Sequence, residues 1–162
     1  MKSKQIKVMA VTAILMAFNI VLSSFGVPVP GGHMYLNDVI ICTAAILLNR
    51  FGAFIGDLLF YPTPMFVSLV THGLQAVVIS LATRRLGKDR PSGSAIGVTI
   101  GAVIMVVGYS LGRAFIYSTP EYALLKLPFQ IAQAVVGAVV GWLLCWKCKI
   151  AELYEKRFGI MS

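Results

Sequence analysis

The sequence predicts an all-α membrane protein, a compact bundle of six transmembrane helices with both termini in the cytoplasm, and three observations carry that expectation. The 162 residues are 58% hydrophobic and only 12% charged, with a mean hydropathy of +0.84; that leaves too few polar groups to cover a water-facing surface. The apolar residues form continuous runs rich in Ala, Leu, Val and Gly, unlike the short alternating segments of a transmembrane barrel. Third, the basic residues cluster between the runs: Lys2, Lys4 and Lys7; then Arg50; then Arg84, Arg85, Lys88 and Arg90; finally Lys147, Lys149, Lys156 and Arg157.

Under the positive-inside rule these clusters all face the cytoplasm, so an even number of crossings separates each from the next. The elements that satisfy this are helices over 7–26, 35–49, 51–61, 64–83, 95–117 and 121–146. With roughly 20 apolar residues needed per span, the chain is one membrane domain, 1–162, with nothing left for a soluble one. Merging 36–61 into a single span would bury Asn49 and Arg50 at mid-bilayer, at roughly 2.5–3.5 kcal/mol for the arginine, and would turn "RRLGKDR" outward. The third helix is short: about 11 residues at ~1.5 Å rise is about 17 Å against a core of ~30 Å. It must therefore be buried among its neighbours, tilted, or continued by the "YPTP" turn.

The formal net charge of +8 thus reads as topology, with no call for a nucleic acid partner. The first run reads as a helix that stays, because it is longer than the apolar core of a signal peptide and no A-x-A site closes it. Cys42, Cys145 and Cys148 all fall in or near helices. Cys145 and Cys148 have C-x-x-C spacing but no second pair to complete a zinc site, so packing is expected of them, with no metal and no cofactor.

Depth in the membrane then sorts the polar residues. Asn37 stands at the outer end of the second helix, His72 and Gln75 in the fourth, Tyr109, Arg113 and Tyr117 in the fifth, Gln130 and Gln133 in the sixth. All fall in the outer half or near the midplane. His72 and Gln75, like Gln130 and Gln133, are three apart, and Tyr109 and Arg113 are four apart, so each pair shares a helix face. Such faces turn away from lipid, where an unpaired polar group costs several kcal/mol. The expectation is one cavity that opens outward. The competing reading is a set of interhelical hydrogen bonds worth ~0.6 kcal/mol each, with an Asp57–Arg113 ion pair that neutralises both charges and touches no ligand.

Above that cavity runs "VPVPGGHMYLND", stiffened by prolines and given a sharp turn by Gly31 and Gly32. It reads as a lid whose His33, Met34 and Tyr35 close over a bound molecule; the alternative is a plain connector in which Asn37 and Asp38 cap the second helix. Small residues supply the remaining pattern. Ala10, Ala13 and Ala17 form a stripe along the first helix, and glycine pairs at 52/56, 97/101, 108/112 and 137/141 allow close helix approach inside the bundle.

With "AILMA" in the first helix, "GGHMYLNDVIICTAAILLNRFGAFIGDLLF" across the second and third, and "LPFQIAQAVVGAVVG" in the sixth, the chain resembles the substrate-binding S component of an energy-coupling factor (ECF) vitamin transporter. The resemblance spans essentially the whole chain and is strongest from Gly32 to Phe60, in the branch that includes riboflavin, pyridoxine and hydroxymethylpyrimidine S components. It implies a multi-pass protein of the bacterial cell membrane that captures a vitamin from outside, under the loop between its first two helices. It implies as partners a transmembrane T component and two cytosolic ABC-type ATPases, which energise a toppling of the whole S component. The alanine stripe, at Ala13 and Ala17 and by extension Ala10, becomes the T-component surface, and residues 27–36 become the lid. The chain carries no ATP-binding motif of its own, since "GRAFIYST" and "GKDRPSGS" lack the G-x-x-x-x-G-K-[ST] spacing.

The expected ligand contacts are therefore His33, Tyr35, Asn37, His72, Gln75, Tyr109, Arg113, Tyr117, Gln130 and Gln133. Tyrosine faces stack a ring while amides and imidazole orient its substituents, which suits pyridoxine, pyridoxamine or hydroxymethylpyrimidine, with riboflavin as the alternative. An enzyme is not expected: no H-x-x-x-H or D-x-x-D spacing joins the histidines to Asp57. An autonomous transporter would need a continuous polar path, which the inner halves of the helices lack.

Overall fold

The computed structural model describes residues 2–30, 32–48, 65–86 and 91–158. Helix α1 runs Lys2–Ser24, and a short antiparallel hairpin follows, β1 (Val27–Val29) with β2 (Gly32–Met34). Then come α2 (Asn37–Leu47), α3 (Met65–Arg85), α4 (Pro91–Gly112), a π-helical turn over Arg113–Tyr117, α5 (Pro120–Trp146) and α6 (Ile150–Phe158). Four helical stretches are long and apolar enough to cross a membrane, Gln5–Ser24, Phe66–Arg85, Pro91–Tyr117 and Pro120–Trp146, and α2 is a shorter apolar helix. Apart from the hairpin, the regular structure among the described residues is all helical. The span expected over 51–61 lies outside the described residues, as do Asp57, Gly31, Gly52 and Gly56.

The sequence reading needs two additions. Residues 27–29 and 32–34 pair as strands, with Val27 opposite Met34 and Val29 opposite Gly32, where the sequence reading has only a loop stiffened by prolines with a sharp turn. After the last span comes α6, whose apolar Ala151 and Tyr154 are buried against the bundle while Glu152, Lys156 and Arg157 stay exposed. Three residues apart on a helix, Ala151 and Tyr154 share its inner face.

Glycine determines how closely the helices approach. On α4, a Cβ at Gly97 or Gly101 would press on Ile79 of α3, and one at Gly108 or Gly112 would collide with Thr71 or Val67. On α5, Gly137 and Gly141 lie against Asp38 and Cys42 of α2. Three of the four glycine pairs read from sequence thus seat neighbouring helices. At the end of the bundle away from the hairpin, a dry core joins Cys42, Leu47 and Leu48 of the α2 segment with Ile79, Val98, Ala138 and Tyr154. Two indole N–H groups pin α5 to the start of α4: Trp142 Nε1 donates to Pro91 O at 3.0 Å and Trp146 Nε1 to Ser94 Oγ at 2.6 Å. The three cysteines are free, Cys42 and Cys145 buried and Cys148 exposed.

Against this core α1 turns Val8, Val11 and Leu15. Ala10, Ala13 and Ala17, on its other side, are exposed in the isolated chain.

Candidate functional site

The polar ends of α2 to α5 enclose a cavity of about 430 Å³ beneath the hairpin, within the usual range for small-molecule sites. The hairpin is tied down at two points. Lys126 Nζ donates to His33 O at 2.7 Å, and the Tyr35 N–H donates to Gln133 Oε1 at 3.0 Å. The turn needs Gly32, whose φ of +123° is a region side chains avoid; a Cβ there would also come within 3.1 Å of Lys126 Nζ.

The amide of Gln133 works in both directions. Its oxygen holds the exit of the hairpin, and its Nε2 donates to Asp38 Oδ2 at 2.5 Å. The other carboxylate oxygen, Oδ1, stands 3.8 Å from His72 Nδ1. Asp38 is 1% exposed, and a carboxyl group cut off from water in this way depends on polar partners. His72 Nδ1 also lies 2.8 Å from Gln75 Oε1. An amide oxygen only accepts, so Nδ1 carries a proton. The Tyr109 ring packs edge-on to His72 at 5.2 Å, and its hydroxyl donates to Ser68 Oγ at 2.7 Å.

On the opposite wall Arg113 donates from Nη1 to Gln130 Oε1 at 2.7 Å and lies 5.9 Å over the ring of Tyr117. Gln130 Nε2 in turn reaches the α4 backbone at Met105 O and Val106 O, at 3.3 and 3.4 Å. Arg113 and Tyr117 open and close the π turn. Its wider winding places both side chains on the cavity, although plain α-helical spacing would already bring residues four apart onto one face.

Of the ten expected contacts, His33, Tyr35, Asn37, His72, Tyr109, Arg113, Tyr117, Gln130 and Gln133 line the cavity, and Gln75 does not. Gln75 is 1% exposed, a turn deeper than His72: three positions along a helix rotate the side chain by about 300° and carry it about 4.5 Å along the axis. It is a floor residue, with Nε2 3.8 Å from Cys42 Sγ. Asn37 and Asp38 do not cap α2. The N-cap is Leu36, with no side-chain capping bond, and Asn37 Oδ1 is buried without a hydrogen-bond partner among the described residues.

The cavity also has walls the sequence reading passed over: Ser68, Met105, Ser118, Tyr122 and Lys126. Their signal was available. Tyr122, Lys126, Gln130 and Gln133 fall at i, i+4, i+8 and i+11, one continuous helix face, and Ser68 and Met105 stand one turn before His72 and Tyr109.

Fold and site together define a small helical membrane protein with a polar, hairpin-covered cavity and no grouping of His, Cys, Asp and Glu suited to a metal among the described residues. The chain belongs to the family described as the ECF-type riboflavin transporter, S component, whose model matches residues 3–149. It is accordingly a membrane-integral S component and not an enzyme. Proteins of this class bind vitamins and work with a T component and ATPases. No curated protein matches the chain.

Proposed function

We propose that the chain captures a heteroaromatic vitamin from outside the cell in the cavity beneath the hairpin and hands it inward together with a T component and two ATPases. In this reading the ligand contacts are the nine cavity residues that sequence and structure share, with Tyr122 and Lys126 added. The hairpin is the lid, and the exposed Ala10, Ala13 and Ala17 are the T-component surface. The observation that carries the reading is the concentration of buried polar side chains around one cavity closed by two hydrogen bonds to α5. A bundle held together by polar bonds alone would have no use for the hollow or for an Asn37 Oδ1 without a hydrogen-bond partner among the described residues.

Two ligands are favoured by different observations. The family description and the volume of about 430 Å³ support a flavin such as riboflavin. The dense floor of His72, Tyr109, Gln133 and Asn37 supports a compact, hydroxylated single ring, pyridoxine or hydroxymethylpyrimidine. Native mass spectrometry of the chain purified from cells grown in rich medium distinguishes them by the mass retained. Calorimetry with all three then checks affinity; failure of all three to bind would remove the vitamin reading and leave the family membership intact.

A further inference from the structure

Among the described residues that line it, the cavity holds two cations and no anion to balance them. Arg113, 7% exposed, reaches in from the π turn, and Lys126, half-buried, reaches in from α5. Arg113 is bonded to Gln130, which lies one turn below Lys126 on the same face, and both cations line the one cavity. Their printed hydrogen-bond acceptors, Gln130 Oε1 and His33 O, are neutral dipoles.

No carboxylate among the described residues is within ion-pair range of either. Asp38 is engaged by Gln133 and His72. Glu121 is exposed at the start of α5, and Glu152 and Glu155 belong to α6 beyond the other end of that helix. Two like charges beside a cavity in a membrane protein are unfavourable unless an anion joins them. A guanidinium fork and an ammonium together make the donor set that grips phosphate or carboxylate oxygens. Ser118 and Tyr122, which also line this part of the cavity, add hydroxyl donors.

We infer that the ligand carries an anionic group, a phosphate or a carboxylate, seated between Arg113 and Lys126. The inference rests on the cavity being the ligand site, and it replaces the vitamins expected from sequence with an acidic or phosphorylated form.

The test is calorimetry in neutral detergent with matched pairs: riboflavin against riboflavin phosphate, pyridoxine against pyridoxine phosphate, and pyridoxine against 4-pyridoxate for the carboxylate. In at least one pair the anionic member binds about tenfold tighter or more, and its advantage shrinks as salt is raised. In Lys126→Gln the ratio within that pair collapses toward one. Equal affinities in every pair, or a preference untouched by Lys126→Gln, overturn the inference while leaving vitamin capture standing.

Should no vitamin bind in any form, the function reading fails and inorganic phosphate decides the inference separately. A rise in melting temperature with phosphate that Lys126→Gln abolishes supports an anion site, and no rise overturns it. Repeating the pairs in phosphatidylcholine nanodiscs with and without phosphatidylglycerol separates ligand from lipid. Loss of the preference when phosphatidylglycerol is present assigns the two cations to a lipid headgroup and overturns the inference.

Discussion

Helix α5 presents Tyr122, Lys126, Gln130 and Gln133 to the cavity and, below them, Gly137 and Gly141 to α2. Helix α1, of similar length and equally apolar, gives the bundle Val8, Val11 and Leu15 and leaves Ala10, Ala13 and Ala17 exposed on its other side. In water an exposed apolar face would mark instability or a missing partner; in a bilayer lipid covers it without penalty, so exposure alone decides nothing. What separates the two helices is the kind of residue exposed. Lipid gives no reason to prefer alanine, whereas a second helix can come closest along a row of small side chains. One helix is therefore specialised for contacts within the chain, and the other has a face suited to contacts beyond it.

Substitutions along the two helices should differ accordingly. The largest effect is expected from Gly137→Leu, which drives a side chain into Asp38 and the α2 backbone. A fall in melting temperature on the order of 10 °C or outright loss of folded protein is expected, and a fall under about 2 °C would mean α2 and α5 can part easily. Next is Arg113→Ala, which should weaken vitamin binding by about 30-fold or more while the melting temperature of the empty protein moves little. An unchanged Kd would return Arg113 to a packing role.

Gln133→Leu removes both the hold on Tyr35 and the partner of Asp38. About a tenfold loss of affinity is expected, chiefly as faster release; stopped-flow dissociation reads it, and an unchanged release rate would separate the hairpin from ligand retention. Smallest for the isolated chain is Ala13→Trp with Ala17→Trp: a Kd within about twofold of the native value, yet no copurification with a T component. Loss of vitamin binding in that double variant would place the stripe inside the bundle and erase the contrast between the two helices.

The sequence was most legible where a residue type has only one inexpensive place to go. The runs behind α1, α3, α4 and α5 could be read within a few residues because a bilayer demands length and apolarity of every span. His72, Arg113 and Gln133 could be read as neighbours because polar groups in a membrane must converge. Illegible were features decided by contacts distant in sequence. The seat of the hairpin over the cavity rests on the ties that Lys126 and Gln133 make to His33 and Tyr35. That Asp38 serves as a floor partner and not as a cap follows from Gly137 letting α5 come close. Lys126 was a cation outside every basic cluster, and only its place on the Gln130 face reveals its surroundings.

The π turn at Arg113–Tyr117 fits nearly one residue more into its winding than the α4 helix that it ends. Excision of a single residue between Arg113 and Tyr117 would let the segment close as ordinary α-helix, with the α4 residues before it, Tyr109 among them, left on the cavity. Tyr117 would then follow Arg113 by three positions in place of four, about 300° around the axis, with no change in the chemistry of either side chain. The outline of the cavity at Arg113 and Tyr117 can therefore be altered in this chain by gaining or losing one codon, without exchanging any wall residue.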